Sequence, residues 1–205
     1  MTTTCERTRK CTVCGEKSEH TEWRSTNAFG SHDLDTRPPE MERSTIRMWV
    51  QTCPSCGYCA PTISRRIKGA SEIVFSDLYQ RQLNSPEFPR LVNAFLCHSL
   101  LEEHRGKYGE AGWSGIYAAW ACDDAGLEIG AKKCRWRAGE LLKKALERGQ
   151  RFGEQRGAEE ALLVDLLRRS SQFEEALKIC NEGLSPLTLY DRIQPNYRVR
   201  FCSPF

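Results

Sequence analysis

Cys11-Thr12-Val13-Cys14-Gly15 is answered by Cys53-Pro54-Ser55-Cys56-Gly57, with 38 residues between Cys14 and Cys53. Each half spaces two thiols so that one tight turn aims both at the same point, and each closes on a glycine whose positive φ swings backbone N–H groups toward sulfur. Two such halves predict a closed tetrahedron of four thiolates around one metal ion. Zinc is the expected ion, with Zn–S distances of ~2.3 Å and no position left for a catalytic water. Cys59 continues the spacing of Cys53 and Cys56, but Gly57 follows Cys56 as Gly15 follows Cys14, so Cys59 reads as a packed thiol.

The sequence around these halves is poor in large aliphatics and carries Pro38, Pro39, Pro54 and Pro61, a loop-and-short-strand composition. Metal binding is therefore expected to supply most of this region's folding free energy. Thr45 to Thr52 is rich in β-branched and aromatic residues and predicts a strand delivering Cys53, whereas Asp33 to Glu42 reads as a loop. The first region spans residues 5–65.

Beyond Gly69 the texture changes to helical periodicity, and residues 70–184 form the second region. Helices are expected over Glu72–Leu83; over Pro86–His104, with Ser85 as N-cap; and over Glu110–Asp124, with Trp113, Ile116, Tyr117 and Trp120 on one face. A long helix follows Gly130, with Cys134, Ala138, Leu141, Leu142 and Ala145 on its stripe. Ala158–Arg169 is another, and Phe173–Gly183 closes the series, with Phe173, Ala176, Leu177, Cys180 and Leu184 aligned and Ser171 and Glu174 as a capping box. Residues 185–205 form a turn-rich tail, a short strand or an arm that docks on a groove. The expected fold class is α+β, a small N-terminal ribbon followed by an all-α domain of helical hairpins.

Composition narrows the function. The net charge is +3, with 28% charged and 40% hydrophobic residues, and no apolar run approaches the ~18 residues of a membrane span. The first ten residues lack the apolar core of a secretory signal, so the expectation is a soluble cytoplasmic protein, where eleven cysteines point to metal and buried thiols instead of disulfides. No phosphate loop, nucleophile elbow or dinucleotide fingerprint occurs. His98 and Glu102 share a helix face with Cys97 nearby, but His104 lies off it, and the Asp123-Asp124 pair suits ion pairing with Lys132 or Lys133. No enzymatic activity is expected.

The C-x-x-C-G halves resemble zinc ribbons, and also rubredoxins, which would make iron the alternative metal and electron transfer the alternative function. Leu162 to Leu177 resembles a tetratricopeptide repeat; with Ala131 matched to Ala176 the interval is 45 residues instead of about 34. Cys53-Pro54-Ser55-Cys56-Gly57-Tyr58 together with Ala118 to Asp124 resembles an uncharacterised bacterial family that joins a zinc ribbon to a tetratricopeptide-like domain. That likeness implies the architecture and no activity. Two partner readings follow. The helical platform takes a peptide or protein on Trp113, Tyr117, Trp120 or Trp136; alternatively, nucleic acid is met by Arg65, Arg66, Lys68, Lys132, Lys133, Arg135 and Arg137.

Overall fold

The computed structural model describes residues 1–155 and 157–183. The expectations for Leu184 and for the tail over 185–205 lie outside them.

Strands β1 (Thr3–Lys10) and β2 (Lys17–Ser25) pair antiparallel with Lys10 opposite Lys17, so the first cysteine half is itself the hairpin turn. Strands β3 (Gln51–Thr52) and β4 (Cys59–Ala60) repeat the arrangement, with Thr52 opposite Cys59 around the second half. Each cysteine half is thus the tip of a two-stranded ribbon. The first ribbon is mostly exposed and is laced by side chains: Arg9 donates twice to Glu22 at 2.6 Å.

The strand expected over Thr45–Thr52 is corrected. Arg43–Met48 is a 3-10 helix, and only Gln51 and Thr52 are extended. Thr45 donates its hydroxyl to the Glu42 carbonyl and accepts the Trp49 indole N–H, both at 2.7 Å, while Ile46 and Met48 are buried. Packing here overrides the local β preference.

Helices α1 (Ala70–Val74) and α2 (Asp77–Leu83) replace the single helix expected, because Ser76 breaks the chain and caps α2, accepting from the Tyr79 N–H. Helix α3 spans Arg90–His104 and starts four residues after Pro86. Pro89 forces the preceding Phe88 out of helical backbone, and Asn93 holds the turn by donating to the Ser85 and Phe88 carbonyls. Helices α4 (Tyr108–Asp124), α5 (Glu128–Glu147), α6 (Ala158–Arg169) and α7 (Phe173–Gly183) follow, each packed on its predecessor.

Four helix ends share one device. The N–H groups of Lys107, Leu127, Gln150 and Gln172 reach back to the carbonyls of Glu102, Cys122, Ala145 and Leu167, with Gly106, Gly126, Gly149 and Ser171 in left-handed backbone before them. Ser171 (φ 68°) therefore ends α6 and is not the first half of a capping box for α7. On α7, Ala176 is buried, whereas Phe173 and Leu177 are exposed, which corrects the expected stripe.

One buried cluster runs from Cys11, Cys53 and Cys56 through Tyr58, Tyr79 and Phe95 to Trp120, Leu142 and Leu166, so the two regions share a core. The architecture is α+β, small antiparallel ribbons bearing the cysteines and a helical region after them. Among the described residues no helix is long and apolar enough to cross a membrane.

Candidate metal centre and the neighbouring groove

The two ribbon tips bring Cys11, Cys14, Cys53 and Cys56 together, all four sulfurs lying within 4.8 Å of one another. Cys11 and Cys56 are 3.7 Å apart at sulfur, and Cys14 and Cys53 are 3.6 Å apart. A tetrahedron with ~2.3 Å metal–sulfur bonds has edges of ~3.8 Å, so these two separations already match a bound ion and the others lie within about 1 Å of it.

The tips are equivalent in backbone. Gly15 and Gly57 (φ 81° and 75°) donate to the Cys11 and Cys53 carbonyls at 2.9 Å, and the N–H groups of Cys11 and Cys53 donate to the carbonyls of Glu16 and Tyr58. Gly57 has a second reason to be glycine: a Cβ there would overlap the Leu83 side chain of α2. The backbone N–H of Glu16 draws the Cys14 thiol down to about 7. Burial pushes Cys53 and Cys56 up, so the metal-free cluster holds protons that an ion must displace.

Tyr79 of α2 fastens the second tip to the helices. Its hydroxyl donates to the Gly57 carbonyl and accepts the Cys59 N–H, both at 3.0 Å. Cys59 points away from the cluster; its thiol donates to the Gly57 carbonyl at 3.2 Å and neighbours Thr52. Among the described residues no cysteine forms a disulfide.

Of the aromatic candidates, Trp113, Tyr117 and Trp120 meet in one place, whereas Trp136 stands apart on α5, half exposed. Trp49 joins them, its ring 5.2 Å from Tyr117 at 81° and 6.3 Å from Trp120 at 75°. Trp120 is 2% exposed and its indole N–H is spent on Asp35 at 2.8 Å, so it forms the back wall more than a contact surface. Together with Phe152 these rings line a groove of about 780 Å³ between the loop over Asp33–Glu42 and helices α4 and α6.

The basic candidates separate. Arg135 is 3% exposed and paired with Asp123, which corrects the expectation that it faces a phosphate. Lys133 pairs with Glu87, Lys132 with Glu128, Arg137 with Glu103, and Arg65 lies 3.9 Å from Glu102. Arg66 and Lys68 stay exposed beside Thr12 and Val13 of the first tip. Asp123 and Asp124 pair with Arg135 and Arg37, not with Lys132 or Lys133. His98 binds the Ser114 hydroxyl at 2.8 Å and leans on Glu102, a packed pair inside the helices.

The sequence reading missed Trp49, which it assigned to a strand, and the buried Asp35, whose partners lie 85 and 134 residues away. No local signal announces pairings of that range. Searches against family models, curated proteins and solved structures find no match.

Proposed function

We propose that this chain is a non-enzymatic interaction protein in which one zinc ion fixes the N-terminal ribbons against a tetratricopeptide-like stack of helical hairpins, and that the resulting junction receives another protein. The observation carrying this reading is the joint one: a four-sulfur cluster already at tetrahedral size, and an aromatic groove built from both regions, Trp49 on one side and Trp113 and Tyr117 on the other. Four thiolates with no open position suit a structural ion. Zinc is favoured over ferrous iron in such a set by the affinity order of the divalent metals.

The groove also has the dimensions of a ligand site, within the ~300–1,000 Å³ usual for one. Its rings are anchored by their own polar atoms: Trp49 to Thr45, Trp113 to the Phe152 carbonyl, Trp120 to Asp35. Anchoring leaves the ring faces, and not the N–H groups, to make contact.

Hydrogen exchange with and without a strong zinc chelator tests the reading. Removing the ion is expected to strip protection from β3, β4 and the 3-10 helix and to loosen Trp49, while α4 and α5 stay protected. Unchanged protection in the first region after complete removal of metal would contradict a structural role.

A further inference from the structure

Among the described residues, the carboxylates that border the groove have no cation paired with them. We infer that the groove binds the arginine side chains of a basic peptide segment, stacking guanidinium groups on Trp49, Trp113 and Tyr117 beneath Glu42, Glu110 and Glu154.

A smaller hollow of about 250 Å³ shares Trp49, Trp113 and Tyr117 with the groove, so the same three rings border both parts of an aromatic trough. Glu42 and Glu154 stand on the larger part and Glu110 on the smaller. Five other surface carboxylates do have cations: Glu22 with Arg9, Glu87 with Lys133, Glu103 with Arg137, Glu128 with Lys132, Glu140 with Lys143. Among the described residues Glu42, Glu110 and Glu154 have no ion pair, although they flank the same rings. The nearest lysine or arginine in the lining, Arg65, is already turned to the buried Glu102.

Aromatic faces attract cations through the ring quadrupole, and the attraction grows as water is excluded. Arginine suits this site better than lysine, because its flat guanidinium stacks on a ring and still offers edge N–H groups to a carboxylate. An acidic segment would meet three like charges, and a purely apolar one would leave the carboxylates at the rim unanswered. The trough is open along His32, Glu154 and Gln155, all exposed, so an extended backbone can run along it while side chains enter.

This proposal rests on the interaction reading above, and the experiment separates the two. The full chain, loaded with zinc, is titrated calorimetrically and by tryptophan emission with four capped peptides: Gly-Arg-Gly-Arg-Gly and its lysine, leucine and glutamate counterparts. The arginine peptide is expected to bind most tightly, to shift the emission, and to lose about tenfold in affinity in the Glu42→Gln/Glu154→Gln double variant, the effect of losing a charge-assisted contact. Trp136→Phe, remote from the trough, is expected to bind as the parent does. Tightest binding of the leucine peptide would overturn the cation assignment and leave the interaction reading standing. Equal affinities for all four, or parental affinity in the double variant, would overturn it as well. No binding of any peptide to correctly folded, zinc-loaded protein would remove both.

Discussion

Asp35 accepts a hydrogen bond from the Trp120 indole at 2.8 Å, and the same carboxylate oxygen receives Arg169 at 2.5 Å. A loop residue with no exposed surface thereby ties α4 and α6 to the N-terminal region, with Arg135 3.8 Å away. Arg37, two residues on, repeats the tie by pairing with Asp124 at 2.5 Å. The back wall of the groove is held by this latch.

Removing Asp35 leaves Arg135 buried with one carboxylate fewer and the Trp120 N–H without an acceptor. Asp35→Ala is expected to cost about 3–5 kcal/mol of stability, in the range for breaking a buried ion pair from one side. Urea unfolding followed by tryptophan emission measures it. A loss below about 1 kcal/mol would show the latch to be incidental.

Ser171 occupies the left-handed position that glycine fills at the ends of α3, α4 and α5. Ser171→Gly is expected to stabilise the protein by about 1 kcal/mol by relieving backbone strain, less the entropy glycine adds to the unfolded chain. A thermal melt that moves down instead would contradict the reading of this turn.

Tyr79→Phe deletes one hydroxyl, leaves the buried Cys59 N–H without that acceptor, and leaves the Gly57 carbonyl with the Cys59 thiol as its donor. The expected loss is about 1–3 kcal/mol, together with weaker metal retention, because Gly57 belongs to the second tip. Competition with a metal chelator reports the second effect. Unchanged retention would mean that Tyr79 packs the tip without bracing it.

Glu102 sets an acid limit. Burial pushes its carboxyl up, but the adjacent His98 imidazole and the charges of Arg105 and Arg65 outweigh burial, and the net direction is down. A carboxyl depressed in the folded state adds stability above its unfolded value of about 4.3, and that contribution disappears as pH falls through the folded value. Stability should therefore decline below about pH 4.5 in part through Glu102, and Glu102→Gln should flatten this part of the profile while lowering stability at neutral pH. A profile of the same shape in the variant would assign the acid loss to other groups.

How much of this was readable beforehand follows from the range of the interactions. The four cysteines and helices α4 to α6 were legible because their signals are local: fixed spacing, a backing glycine, a repeating apolar face; α7 was legible in extent, but its stripe and its cap were not. Trp49 was misread because its β-favouring neighbours are outweighed by contacts with Tyr117 and Trp120 that lie far along the chain. The α1–α2 break was hidden because a single serine, Ser76, makes it. Arg135 looked like a surface cation because its aspartate partner belongs to the preceding helix. Helical periodicity brings out Trp113 and Tyr117, but the glutamates beside them come from the loop before the 3-10 helix, from α4 and from the segment before α6, and periodicity does not join them.

The proposed function requires that four sulfurs hold one ion. Zinc-edge X-ray absorption on the purified protein, with metal content measured on the same sample, tests it most directly. One zinc per chain is expected, with four sulfur neighbours at ~2.3 Å and no nitrogen or oxygen in the shell. A metal-free folded protein, iron in place of zinc, or a shell with fewer than four sulfurs would contradict it.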